Sequence, residues 1–234
     1  MALSSGFFGF FAHAGFVAAL DEAGLAPRSL SGSSAGALVA GAWASGRGGE
    51  ELAERLLSLK RPDFWDPAPG AGLLRGALFQ RLLETTLLAD TFEGCRAPLS
   101  VSVFDLAKRE TVVISRGPLA SAVRASCTFP GLFQPTWHEG RRYLDGGIAD
   151  RPGLLGAQGG RVLFHHLASR SPWRRSGSPS LAVPKRPGMV TVVLGALPRL
   201  GPFRLEEGVR AYSIARDRAR RALDAPCSAI ITIS

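Results

Sequence analysis

The sequence predicts an α/β fold, a three-layer sandwich with a mainly parallel central sheet. Three observations carry that prediction. Short β-rich runs alternate with helical runs along most of the chain, an order that favours parallel strands joined by crossover helices. A small-residue turn, Gly32-Ser33-Ser34-Ala35-Gly36, joins one such strand to a run of strong helix formers. Two later runs, Val162–His166 and Val190–Leu194, have the length and apolar content of buried strands.

In chain order, Met1–Ser5 reads as a short strand, followed by a glycine-bearing turn and a helix over Ala12–Ala23 that stops at Gly24. Arg28–Gly32 is a second strand, running into a helix over Ala35–Ala44 that ends before Gly46. Glu50–Leu59 is amphipathic, with Leu52, Leu56, Leu57 and Leu59 on or near one face. Arg61–Arg75 contains Pro62, Pro67, Pro69 and Gly70 and reads as a loop. Its Phe64-Trp65 pair is expected to pack over the core rather than serve as a lid or membrane-touching tip. Leu78–Leu88 is helical again. Leu99–Asp105 and Glu110–Ser115 form a hairpin around Leu106–Arg109, and Leu119–Ser126 is a helix before Pro130. Arg142–Leu144 leads into Asp145-Gly146-Gly147. A stretch rich in Pro, Ser and Arg at about 170–187 reads as a surface loop. Val209–Leu223 is a basic helix whose Arg216, Arg218, Arg220 and Arg221 suggest a solvated face, and Ser228–Ile233 is a last strand. With no internal repeat and no linker, residues 1–234 read as one domain.

Composition narrows the function classes. A chain of 234 residues can bury a sufficient core without staples. Cys95, Cys127 and Cys227 are odd in number and far apart, which argues against a disulfide framework and for a reducing, cytoplasmic setting. The apolar stretch Gly6–Leu20 lacks the basic start of a signal peptide and is shorter than the roughly 20 residues of a spanning helix, so a soluble protein is expected. The net charge of +9 attracts phosphates, which allows a peripheral contact with an anionic membrane. No nucleic-acid motif accompanies it, and no specific nucleic-acid partner is expected. Nor has any pair of histidines metal-ligand spacing, so neither metal nor other cofactor is expected.

Gly32–Gly36 is a G-x-S-x-G between strand and helix, the setting in which a sharp turn exposes a serine nucleophile at a helix N-terminus. The motif alone equally suits a plain small-residue turn. A nucleophilic Ser34 needs a base. One arrangement is a triad of Ser34, Asp145 and either His165 or His166; the other is a dyad in which Asp145 acts directly. The triad order fits an α/β-hydrolase, but that fold builds several strands before its nucleophile, and here there is room for one. His165 and His166 are also adjacent in a strand, so they point to opposite faces. Plain strand histidines are the simpler reading. His13 is expected as a partly buried helix residue, with support of the preceding loop as the alternative. His138, beside Glu139-Gly140, reads as an exposed turn residue. Cys127 reads as a small buried side chain rather than a thiol nucleophile.

Three separated segments resemble patatin-like phospholipases. Phe11-Ala12-His13-Ala14-Gly15 running to Glu22-Ala23-Gly24 is similar to that family's first turn and helix. Ser31–Gly36 followed by Ala37-Leu38-Val39-Ala40-Gly41 resembles its nucleophile elbow. Leu144–Gly147 resembles its D-G-[GA] motif, and Ala125–Pro135 resembles the segment that precedes it. The resemblance covers roughly Leu3 to Pro152, and the 111-residue separation of Ser34 and Asp145 suits it. It implies a lipid acyl hydrolase of phospholipase A, lysophospholipase or esterase type, with Ser34 as nucleophile, Asp145 as base and lipid or other carboxylic esters as substrate. It also implies an oxyanion hole in the loop Ser5–Phe10, at Gly6, Phe7 and Phe8. There the chain departs from the family's run of three or four glycines followed by Arg or Lys. It reads Ser5-Gly6-Phe7-Phe8-Gly9-Phe10, with no basic residue. The alternative is therefore a weak or inactive scaffold that binds anionic membrane or nucleic acid. An aspartate with an ordinary pKa of ~3.9 is a poor base for a hydroxyl unless burial raises it. Phe7, Phe8, Phe10 and Phe133 are the expected source of that burial.

Overall fold

The computed structural model describes residues 1–168, 182–226 and 228–233. Cys227 and residues 170–181 of the expected Pro/Arg-rich loop lie outside the described residues. The first half of the chain forms β1 (Ala2–Leu3), α1 (Phe10–Glu22), β2 (Leu30–Ser33), α2 (Ala35–Ala44) and α3 (Gly49–Leu57). Next come β3 (Gly72–Leu74), α4 (Ala77–Thr86), β4 (Leu99–Asp105), β5 (Glu110–Ile114) and α5 (Leu119–Ser126). The remainder holds β6 (Gly131–Phe133), β7 (Thr136–His138), β8 (Arg141–Asp145), β9 (Val162–Leu167), β10 (Met189–Leu194), α6 (Gly208–Asp224) and β11 (Ile230–Ile233).

Nine strands make one sheet in the order β11-β10-β9-β1-β2-β4-β8-β7, with β5 also paired to β4. Every pair from β11 to β4 is parallel, and β5, β7 and β8 join antiparallel. Helices flank this sheet, giving the mainly parallel α/β fold that the strand–helix alternation predicts. Helix α1 is apolar on every side, and its residues from Phe11 to Leu20 are all buried. Such a helix must be covered all round, and α2, α3 and α6 pack against it. The contact with α6 is at backbone distance: a Cβ on Gly15 would lie 2.4 Å from the Tyr212 carbonyl oxygen. The alanines Ala211, Ala215, Ala219 and Ala222 form the buried stripe of α6. Among the described residues, no helix is long and apolar enough to cross a membrane.

Several expectations change. Arg61–Arg75 is not all loop, because Gly72–Leu74 pairs in parallel with Gly131–Phe133 as a separate two-stranded sheet. His138 is not an exposed turn residue: it ends β7, is buried, and its Nδ1 lies 2.8 Å from Ser121 Oγ. The hairpin turn falls on Glu139 and Gly140, both at positive φ. His13 is fully rather than partly buried. On the basic helix, Arg216 pairs with Glu22 and Glu50 and Arg220 with Glu22, so these two arginines are tied to acidic neighbours. Phe64 is buried and Trp65 half-buried beside it, as packing over the core requires.

Candidate active site

Strand β4 brings the two motif residues together. Its Leu99–Ser102 half pairs with β2, so that Ser33 lies opposite Ser102. Its Val103–Asp105 half pairs with β8, so that Asp145 lies opposite Val103. Strand β5 pairs along Val101–Asp105 and overlaps both partners, so β2 and β8 must share the other edge. Because β2 is parallel and β8 antiparallel to β4, the two strands run toward each other and end at adjacent β4 residues. The chain leaving β2 therefore meets Asp145 after 111 intervening steps of sequence.

At that junction Ser34 has φ +54° and ψ −122°, a strained backbone for a residue with a side chain, and it begins α2. The turn can be this tight only with glycine on each side. A Cβ on Gly36 would lie 2.2 Å from the Leu3 carbonyl oxygen, and one on Gly32 would lie 2.6 Å from the Gly36 carbonyl. Ser34 Oγ donates to Asp145 Oδ2 at 2.7 Å. The other carboxylate oxygen accepts from the Gly147 N–H at 2.8 Å, and Asp145 is buried, 4 % exposed. The Ser34 N–H is held by Ser126 Oγ at 2.8 Å, and that hydroxyl donates to the Ser102 carbonyl at 2.7 Å. Below it, Ser102 Oγ donates to Asp150 Oδ2 at 2.6 Å. Motif reading missed this supporting set. Its one signal was position, since Ser126 is the second residue of the Ala125–Pro135 segment before the Asp145 strand and Asp150 follows shortly after Asp145-Gly146-Gly147.

Gly6, Phe7 and Phe8 line the same cavity as Ser34 and Asp145. Among the described residues, their three N–H groups donate to no protein acceptor. The loop is tied at its ends instead: Ser5 N–H donates to the Arg151 carbonyl at 2.7 Å and Gly9 N–H to the Gly6 carbonyl at 2.9 Å. Phe8 sits at φ +53°. The cavity measures about 1420 Å³ and its far wall is hydrocarbon, including Leu56, Phe64, Phe79, Leu82 and Phe133. The loop phenylalanines join this wall, with Phe8 5.9 Å from Phe64 and 5.5 Å from Phe10 between ring centres.

No histidine lines the cavity among the described residues. His165 is fully buried against α1, with Nδ1 2.8 Å from His13 Nδ1, and its ring stacks on Phe16. His166 is buried beside Phe164. The structure thus brings Ser34 to Asp145 and to no imidazole. Cys127 donates its S–H to the Ser34 carbonyl at 3.1 Å. Burial first, and then the Asp145 charge, push its thiol well above the usual range, so it stays protonated and non-nucleophilic at neutral pH.

The patatin-like phospholipase family model matches residues 1–157. Uncharacterized NTE family proteins of Mycobacterium bovis and Mycobacterium tuberculosis are 35% identical over 154 residues, a match covering 64% of this chain and 42% of theirs. A Neurospora crassa protein named lysophospholipase nte1 is 27% identical over 146 residues, 59% of this chain and 10% of its own. The chain thus matches less than half the length of these relatives. Two solved structures share the fold. VipD from Legionella pneumophila gives a TM-score of 0.54 at 15% identity, covering 95% of this chain and 66% of that one. The type III effector protein ExoU gives 0.51 at 15% identity, covering 95% and 52%.

Proposed function

This chain belongs to the patatin-like phospholipase family, and from that premise we propose that it is a serine acyl hydrolase cleaving carboxylic esters of lipids. The observation that carries the reading is the 2.7 Å hydrogen bond from Ser34 Oγ to Asp145 Oδ2 at the wall of an apolar cavity. In this reading Asp145 takes the hydroxyl proton as Oγ attacks the ester carbonyl carbon. The Gly147 N–H holds the carboxylate in register with Oγ. The Ser34 N–H is committed to Ser126, so the developing oxyanion draws on the N–H groups of Gly6, Phe7 and Phe8, which donate to no acceptor among the described residues. The tetrahedral intermediate then collapses, the alcohol leaves with the proton from Asp145, and an acyl-Ser34 remains. Water, deprotonated by Asp145, attacks that acyl group and releases the carboxylic acid, and the proton returns to Ser34. The acyl chain lies along the Leu56, Phe79 and Leu82 wall, where its burial stabilises binding by about 0.8 kcal/mol per CH₂.

The test is hydrolysis of a p-nitrophenyl ester by purified variants. Ser34→Ala and Asp145→Asn should each abolish turnover, and the double variant should be no worse, since the two residues act as one unit. His166→Ala should keep most activity, whereas a histidine-dependent triad would lose several orders of magnitude. Substantial turnover surviving in Ser34→Ala would remove the reading.

A further inference from the structure

We propose that His13 and His165 form a positioning brace that fixes the neck of the loop at residues 5–10. This inference rests on the reading of that loop as the oxyanion hole.

Proton positions follow from the partners. His13 Nε2 lies 2.7 Å from the Ser4 carbonyl oxygen, which can only accept, so Nε2 carries a proton. A neutral ring then has a lone pair on Nδ1, and the 2.8 Å Nδ1···Nδ1 contact requires a donor from His165. His165 is accordingly protonated on Nδ1, which leaves its buried Nε2 with a lone pair and, among the described residues, no hydrogen-bond partner. Burial keeps both rings uncharged, holding His13 at about 4 and His165 well below the usual histidine range. Two neutral rings in a fixed donor–acceptor order make a rigid link, and the stack of His165 on Phe16, 4.0 Å between centres, holds its far end.

The link ends on Ser4, the last residue before the loop. All three polar groups of Ser4 are engaged. Its N–H donates to the His165 carbonyl at 3.1 Å, its carbonyl accepts from His13, and its hydroxyl accepts from the Leu167 N–H at 2.9 Å. His13 itself stands where the loop enters α1, its own N–H bonded to the Gly9 carbonyl at 3.1 Å. The His13–Ser4 bond therefore closes the loop on itself, across nine residues. Such a closure is needed here. The loop has only two glycines, holds Phe8 at positive φ, and, among the described residues, leaves the N–H groups of residues 6–8 without protein acceptors. Inside the loop one backbone hydrogen bond, from Gly9 N–H to the Gly6 carbonyl, spans those groups, so where they point depends on how the neck of the loop is held. A core role alone would be met by an apolar side chain, without three buried ring nitrogens in hydrogen bonds.

The experiment compares the wild type with His13→Leu and His13→Gln, whose amide N–H can still donate to the Ser4 carbonyl. Steady-state kinetics on a p-nitrophenyl ester are combined with ¹⁵N relaxation of the amides of residues 6–9. His13→Leu should lower kcat about 100-fold, the scale of a misplaced catalytic group, with KM within about threefold. His13→Gln should recover to within about tenfold of the wild type, and the loop amides should be ordered in His13→Gln and mobile in His13→Leu. Unchanged kcat and unchanged relaxation in folded His13→Leu overturn the brace, as does a His13→Gln variant no better than Leu. If the wild type shows no Ser34-dependent turnover, the proposed function fails and the relaxation comparison alone decides the brace. If His13→Leu does not fold, the imidazole ¹⁵N shifts of the wild type decide: His13 protonated at Nε2 and His165 at Nδ1 support the brace, and the opposite pair of tautomers overturns it.

Discussion

Ser126 takes both sides of a hydrogen-bonded relay, accepting from the Ser34 N–H and donating to the Ser102 carbonyl. Its substitution by alanine leaves the half-buried Ser34 N–H and the buried Ser102 carbonyl without this hydroxyl. A loss of about 1–3 kcal/mol in stability is expected from the orphaned Ser34 N–H. Chemical denaturation measures it, and a change below about 0.5 kcal/mol would contradict the relay. At this scale the sequence announced the two residues proposed to react and hid those that hold them. Ser34 and Asp145 lie in short motifs whose glycines the backbone needs. Ser102, Ser126 and Asp150 become partners only once β4 lies between β2 and β8, and no local spacing encodes that. His138 was misread for a related reason. Glu139-Gly140 marks the hairpin turn, but the histidine's strand packs against α5, whose Ser121, 17 residues away, lies against its ring nitrogen.

Helix α2 and strand β1 are packed at backbone distance, and the elbow depends on it. In Gly36→Ala the new methyl would meet the Leu3 and Ser4 carbonyl oxygens, at 2.2 and 2.7 Å. Neither can move without disturbing β1, which has only two residues in the sheet. Overpacking of this kind costs about 1–3 kcal/mol or more, so the variant should melt several degrees lower and lose ester turnover together. A thermal scan and one assay check both. Most elements were legible in the sequence, because long periodic runs such as α3 and α6 state their buried face. Leu52, Ala53 and Leu56 line one side of α3, and four alanines line α6. Strands β3 and β6 were not legible: each has three residues, set among glycines and prolines, and each takes its partner from far along the chain, in the other. The short β7 is lost in the same way.

Over the whole molecule, four histidines, His13, His138, His165 and His166, are buried in or against one sheet, and their folded values lie below the ordinary histidine value of ~6.5. Burial is the main cause for each, holding His13 and His166 at about 4, with the Arg151 charge acting further on His166. A depressed histidine makes folding independent of its titration above its unfolded value. As pH falls from about 6.5 to about 4 the unfolded chain takes up the proton first, so stability is lost across that window. His13 alone accounts for about 3 kcal/mol of that loss. Urea midpoints between pH 7 and pH 4 should fall steadily, and His166→Phe should flatten part of the slope. A midpoint independent of pH would contradict this burial. The mainly parallel sheet was readable from strand–helix alternation. Its strand order, which places β1 at the centre beside β9, was not, because a crossover leaves no mark on local sequence.

The central claim, that Asp145 makes Ser34 a nucleophile, is tested most directly by fluorophosphonate labelling followed by intact-mass and peptide mapping. The wild type should gain one adduct, on Ser34. Ser34→Ala should gain none, and Asp145→Asn should label at least about 100-fold more slowly, because its amide cannot accept the hydroxyl proton. No adduct on Ser34 in folded wild type, or equal labelling rates with and without the Asp145 carboxylate, would contradict the claim.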